Sequence, residues 1–249
     1  MNRRLLLALS LLVSCPAARD SSSQAPPDTR VEWYQYVSVP EDDPESRYPE
    51  ITQATITTSP GSMRYEFTIE RGERIERGWI ETDARATFTG ARRTVHEGDR
   101  GLVEYDSMWV DNDDLYVRRV RPERKRGRKD QVKDFDIPDD KPLVVDASFL
   151  LWLREFPYGS GASSKVFMVD FSQHKVTVEA VDRGVETVTV PAGTFDCHHV
   201  EVIVMVLWIK TRIDFWMSTS APHFLVRHQG KRGPFTDSYV TELVKLEHN

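Results

Sequence analysis

Cysteine is nearly absent from this chain: two residues in 249, Cys15 and Cys197. No Cys-x-x-Cys or His-Glu-x-x-His spacing occurs, which removes the strongest sequence signatures of a zinc site. Long apolar runs are missing too. The longest, Val202 to Ile209, has eight residues, far short of the roughly 18 that a membrane-spanning helix needs, and its length fits a buried strand. An excess of basic charge is also lacking. Lys and Arg number 33 against 39 Asp and Glu, a net charge of −6, whereas a general nucleic-acid binder is a basic domain. Gly159-Ser160-Gly161 lacks the Gly-x-Ser-x-Gly spacing of a nucleophile elbow. No catalytic constellation, metal motif or cofactor motif is left.

What is present begins with a leader. Arg3 and Arg4 precede an apolar stretch from Leu5 to Val13, too short to remain as a bilayer span and typical of a signal peptide. Leu12-Val13-Ser14-Cys15 then has the form of a lipobox, in which the cysteine is diacylated and the bond before it is cut. An ordinary secretory signal with a chance cysteine is the alternative. Two or more acyl chains, at about 0.8 kcal/mol per buried methylene, give stable anchoring. Residues 15–30, rich in Ser, Pro and Ala, read as a flexible tether behind the lipidated Cys15. Removal of residues 1–14 leaves 31 basic against 39 acidic residues, a net charge of −8, and leaves Cys197 without a disulfide partner. Stability then depends on a core, which six Trp, eleven Phe and eight Tyr can supply.

Residues 31–249 read as one β-rich domain. Val31 to Val37 and Ile51 to Thr58 are rich in β-branched and aromatic residues, and Met63 to Ile69 alternates apolar with polar, the period of a strand with one buried face. Pro60-Gly61, Gly72 and Asp111 to Asp114 mark turns between such segments. Further strands are expected at Ile75 to Ile80, Ala86 to Val95, Leu102 to Val110, Leu115 to Val120 and, after a charged loop from Pro122 to Asp140, from Val166 onward. Asp146 to Phe156 is the one helix expected, stopped by Pro157. No turn residue separates Val202 from Trp216. Short strands at turn-punctuated spacing predict an all-β, mostly antiparallel fold, with a β-sandwich as the alternative to a single curved sheet.

Three stretches carry a family resemblance: Asp146-Ala147-Ser148-Phe149-Leu150-Leu151-Trp152-Leu153-Arg154, then Glu186-Thr187-Val188-Thr189-Val190-Pro191-Ala192-Gly193-Thr194-Phe195-Asp196-Cys197, then Phe215-Trp216-Met217-Ser218 with Pro222-His223-Phe224-Leu225-Val226-Arg227. From Asp146 onward the chain resembles an uncharacterised exported-protein family of Gram-negative bacteria, domain of unknown function 3108; upstream it matches only as a strand pattern. The resemblance implies an antiparallel open or half barrel with the helix near one end, and no known activity. Its most specific piece has a structural meaning of its own, because Pro191 presets φ and Gly193 supplies a positive φ for a hairpin turn.

Candidate chemistry is sparse. His198 and His199 are neighbours on a strand and point to opposite faces, so they cannot share one ion; either could meet His174, His223 or His228 from another strand, or be a surface histidine. Cys197 and His199 would share a face at roughly 6–7 Å, a Cys–His pair or simply a buried thiol. Asp111, Asp113 and Asp114 resemble the start of a calcium loop without its glycine and glutamate, and fit a solvated turn. Arg118, Arg119, Arg121, Arg124, Lys125, Arg126, Arg128 and Lys129 form a basic run able to hold phosphate-bearing headgroups or an acidic glycan, or a mobile charged loop. Trp109, Trp152, Tyr158, Trp208 and Trp216 could line a cleft for a sugar or acyl chain, although strands bury alternate positions. Arg118, Arg119 and Arg121 with Trp109, Trp152 and Trp216 are the ligand-binding candidates.

The expectation is a non-catalytic envelope lipoprotein, lipid-anchored through Cys15 at the periplasmic face of the outer membrane, whose β domain binds a lipid, a glycan or another envelope protein. A polysaccharide-active enzyme with two carboxylates facing across a cleft and a structural assembly component are the alternatives. A deep cavity would favour binding, a carboxylate pair in a groove catalysis, and a filled core with a flat apolar surface assembly.

Overall fold

The computed structural model describes residues 28–46, 49–122, 129–146, 148–206, 209–231 and 237–248. The leader, Cys15 and the tether up to residue 27 lie outside these, as do Arg124, Lys125, Arg126, Arg128 and Trp208. Eight strands come before the helix region: β1 (Arg30–Pro40), β2 (Glu50–Ser59), β3 (Ser62–Arg71), β4 (Arg74–Asp83), β5 (Phe88–Glu97), β6 (Leu102–Asp111), β7 (Asp114–Val120) and β8 (Asp130–Asp136). A three-residue β9 (Leu143–Val145) leads into α1 (Ser148–Arg154). Then follow β10 (Ser163–Val169), β11 (Lys175–Val190), β12 (Gly193–Val206), β13 (Ile209–Ser218), β14 (Leu225–Lys231) and β15 (Ser238–His248).

All fifteen strands join one sheet in the order β8-β7-β6-β5-β4-β3-β2-β1-β15-β14-β13-β12-β11-β10-β9. Every neighbouring pair is antiparallel apart from β9 with β10. Chain order therefore runs from the middle at β1 out to one edge at β8, jumps to the other edge at β9, and returns to the middle at β15. The sheet is not closed: β8 and β9 remain its two edges. It is an open curved sheet with one helix, and the β-sandwich alternative falls away.

Alternation on each strand decides which face is covered. In β1, Glu32, Tyr34, Tyr36 and Ser38 are buried while the residues between them are half-buried, and β3 does the same with Met63, Tyr65 and Phe67. This inward face and α1 share the core. The helix is short but firmly seated. Phe149 stacks on Trp152 and meets Phe215 edge-on, with centroids 5.4 and 5.6 Å apart, and Arg154 at its end donates to buried Glu32 on β1 at 2.5 Å.

Curvature brings the two ends of the sheet together through side chains instead of a ladder. Gln173, in the turn between β10 and β11, donates through Nε2 to the carbonyls of Val117 and Gln131 at 3.0 and 3.4 Å. Lys133 donates back to the Gln173 carbonyl at 3.1 Å, and the Arg93 guanidinium lies 4.8 Å over the Phe171 ring. The turn beside the β9 edge thus docks against β7 and β8 at the opposite edge.

The hairpin signals in the sequence sit where turns occur. Asp111 pairs with Asp114 across Asn112, whose φ is +55°, and Val190 pairs with Gly193, whose φ is +137°. Three features differ from the sequence expectation. The loop expected from Pro122 to Asp140 contains β8, β9 stands where no strand is expected, and β12 ends at Val206 with β13 starting at Ile209 although no turn residue marks the break. The connection at residues 207–208 lies outside the described residues.

Candidate functional site

Between the inward face and α1 lies an open cavity of about 440 Å³. Its apolar wall is built from alternate positions of many strands: Ile69 on β3, Val178 on β11, Val202 and Val204 on β12, Ile213 and Phe215 on β13, Leu225 on β14, with Met168 on β10 and Phe149 and Leu150 from α1. Ile69, Leu150, Met168, Val204 and Ile213 are only half-buried although they point inward. Apolar surface in a concave site of this size is therefore left open to solvent.

The polar part of the lining comes from Tyr36 and Ser38 on β1, Glu50 and Thr52 on β2, Tyr65 on β3, Asp146, Asp170, His228 and Thr241. Ser38 and Thr241 satisfy each other, their hydroxyls 2.7 Å apart. Tyr36 donates to the Leu225 carbonyl at 3.3 Å. His228 packs against Phe215 with centroids 5.0 Å apart. Asp146 stands between β9 and α1 with φ at +41°, a left-handed conformation that Asp tolerates better than most residues. Burial pushes its carboxyl above the ordinary range, against the pull of the Arg93 guanidinium. Asp170 is committed to its own turn, accepting from the His174 backbone N–H at 2.8 Å. The cavity can enclose an apolar chain, and its lining also offers carboxyl, hydroxyl and imidazole groups.

The ligand-binding candidates from the sequence lie elsewhere, and of the histidines considered there only His228 lines the cavity. Arg118 is paired with Asp130 in a bidentate contact at 3.0 and 2.6 Å on the exposed surface. Arg119 and Arg121 both donate to Glu104, at 2.7 and 2.8 Å. Burial works against that carboxylate, and the two hydrogen bonds nevertheless hold its pKa down to about 2. Glu104 also pairs with Arg93, which in turn holds Asp106 at 2.7 Å. These arginines therefore balance carboxylates of their own chain. Trp109 is exposed and stacks on Tyr116, Trp152 is buried in the core beside Phe149, and Trp216 on β13 stacks on His199 of β12. The three indoles do not converge.

Cys197 is fully buried, and burial pushes its thiol up to about 12. His199 makes no pair with it: its Nε2 lies 2.7 Å from Asp214 Oδ1 and its ring stacks on Trp216. His198 faces the other way, stacked on Tyr158 with centroids 4.2 Å apart and edge-on to His223 at 5.8 Å. Among the described residues, no group of three or more His, Cys, Asp or Glu is placed to hold a metal ion, and no helix is long and apolar enough to cross a membrane.

The cavity residues Asp146, Asp170, Tyr36 and Tyr65 are not among the sequence candidates, and His228 is among them only as a possible partner of His198 or His199. One signal pointed at Asp146, which opens the first stretch of the family resemblance directly before the helix. The others are scattered over separate strands and share no local pattern.

Among solved structures the chain is similar to the hypothetical lipoprotein YmcC from Escherichia coli K12, at 8% identity and a TM-score of 0.33, covering 88% of this chain and 84% of that one. It is also similar to an exported protein with a YmcC-like fold from Bacteroides fragilis NCTC 9343, at 12% identity and a TM-score of 0.31, covering 88% and 95%. No curated protein matches. The model of the family of proteins of unknown function DUF3108 matches residues 106–236, more than half of the sequence and starting well upstream of Asp146. This chain belongs to that family.

Proposed function

We propose that this protein is a non-catalytic binding module that takes an amphiphile, its acyl-like chain lying in the cavity between the curved sheet and α1. The observation that carries this reading is the set of half-buried, inward-pointing apolar side chains, Ile69, Leu150, Met168, Val204 and Ile213, around a space of about 440 Å³. Ligand sites are concave, mostly apolar, roughly 300–1,000 Å³, and carry a few convergent polar groups. Leaving such surface wet costs about 25 cal/mol per Å² relative to covering it, and a chain threaded along this wall recovers that energy.

The purified chain is titrated with a fluorescent long-chain fatty acid whose emission rises in apolar surroundings. Saturable binding is expected, weakened roughly tenfold or more by Val204→Trp, which fills the cavity from its half-buried rim. Circular dichroism of the variant separates filling from unfolding. No saturation, or equal binding by a folded Val204→Trp variant, overturns the reading.

The proposed setting is the cell envelope, with the chain held by lipid on Cys15 at the periplasmic face of the outer membrane. Arg3, Arg4, the apolar leader, Leu12-Val13-Ser14-Cys15 and the tether support it. Intact mass of the native protein tests it: cleavage before Cys15 with added acyl mass is expected, and a retained leader or unmodified Cys15 contradicts it.

A further inference from the structure

The opposite, outward face of β1–β5 carries a second groove of about 440 Å³. Its floor is two adjacent cross-strand rows. Trp33, Thr55, Glu66, Trp79 and Arg92 lie opposite one another from β1 to β5, and Gln53, Thr68, Arg77 and Thr94 form the row beside them from β2 to β5. At about 4.8 Å per strand, the three steps from Trp33 to Trp79 set the two indoles roughly 14 Å apart, a span suited to a short run of pyranose rings. Each indole is braced by a cation over its ring: Arg64 at 4.6 Å on Trp79 and Lys245 at 5.5 Å on Trp33. Between and beside them stand hydroxyls and an amide, groups that hydrogen-bond sugar hydroxyls while the indoles stack on sugar C–H faces.

Charge in the groove selects among glycans. Glu66 is already engaged by Arg64, whose Nε donates to it at 3.1 Å. Arg77 and Arg92 are exposed, and neither has a carboxylate partner among the described residues; Arg92 lies over the Tyr105 ring at 5.5 Å. Two uncompensated guanidinium groups in an acidic protein, each suited to bidentate contact with a carboxylate or phosphate, leave the groove complementary to a negative ligand. We propose that the outward groove spanning Trp33 and Trp79 binds an acidic oligosaccharide laid across the strands, with Arg77 and Arg92 holding its anionic substituents. This site is separate from the inner cavity and does not depend on it.

The full chain is applied to an immobilised panel of uronate-bearing, sialylated and phosphorylated oligosaccharides with uncharged counterparts, and the best-retained glycan is then titrated in solution. Retention confined to acidic glycans is expected. Trp33→Ala, Trp79→Ala and the double variant Arg77→Gln/Arg92→Gln should each weaken the titrated glycan roughly tenfold or more, with circular dichroism confirming that each variant is folded and thermal unfolding unchanged in the arginine variant, whose side chains are exposed. Val204→Trp should bind it as the natural chain does, so failure here and failure of the inner-cavity reading are distinguishable. Three results overturn the proposal: no glycan retained, neutral and acidic glycans retained alike, or equal affinity for poly-glutamate that survives both tryptophan substitutions.

Discussion

The Cys197 thiol has no exposed surface, and burial keeps it protonated up to about pH 12. Two predictions follow from that one fact. In native protein Cys197 should not react with a thiol-directed reagent at pH 8, reacting only once denatured, as mass mapping of the labelled residue would read; rapid native labelling of Cys197 contradicts the burial. Because the folded pKa lies above the unfolded value of about 8.5, the unfolded state releases its proton first as pH rises. The contribution is fully present below about pH 8.5 and is lost on the way to pH 12. Buried Tyr36 and Tyr65 act with the same sign, burial again being the main cause. Urea midpoints should therefore fall steadily above about pH 9, and Cys197→Ala should make that fall shallower. At this scale the sequence was legible for facing: adjacent His198 and His199 do go to opposite sides. It was not legible for charge. The partner of Arg119 and Arg121 is Glu104, on another strand 15 and 17 residues away, and nothing local marks it.

Elements were legible where alternation is clean. β1, β3 and the hairpin turns at Asn112 and Pro191 follow from period-two patterns and turn residues. β8 escaped because its residues, Asp-Gln-Val-Lys-Asp-Phe-Asp, bury only Phe135; an edge strand with charged side chains looks like a loop, and that charge guards the edge against pairing with other chains. β9 escaped because three fully buried residues show no period at all. Besides its aromatic packing, the helix is held by one ionic contact with a testable cost. Arg154 and Glu32 are both almost fully buried, and deleting one member of such a pair costs about 3–5 kcal/mol, whereas replacing both by apolar residues is often neutral. Arg154→Ala should lower unfolding free energy by roughly that amount, toward the low end because Arg30 also reaches Glu32 at 3.2 Å. The double variant Glu32→Leu/Arg154→Met should recover most of it. Equal losses in single and double variants would show that the pair does not hold the helix.

For the whole molecule, strand content and antiparallel sense were legible in the sequence, but strand order was not. The jump that puts β9 at the far edge, parallel to β10, is a long-range choice, and so is the curvature that docks Gln173 on β7 and β8. The inner cavity exists only because that curvature brings alternate positions of β1–β3 and β10–β15 around α1. Its residues carry no motif, since each is an ordinary inward position on its own strand. Methyl resonances of isotopically labelled protein, followed by NMR during titration with a long-chain fatty acid, test the amphiphile reading most directly. The account predicts saturable shifts at Ile69, Leu150, Met168, Val204 and Ile213 and none at the exposed Val132 and Val185. Shifts confined to those outer residues, or no shifts at saturating ligand, would contradict it.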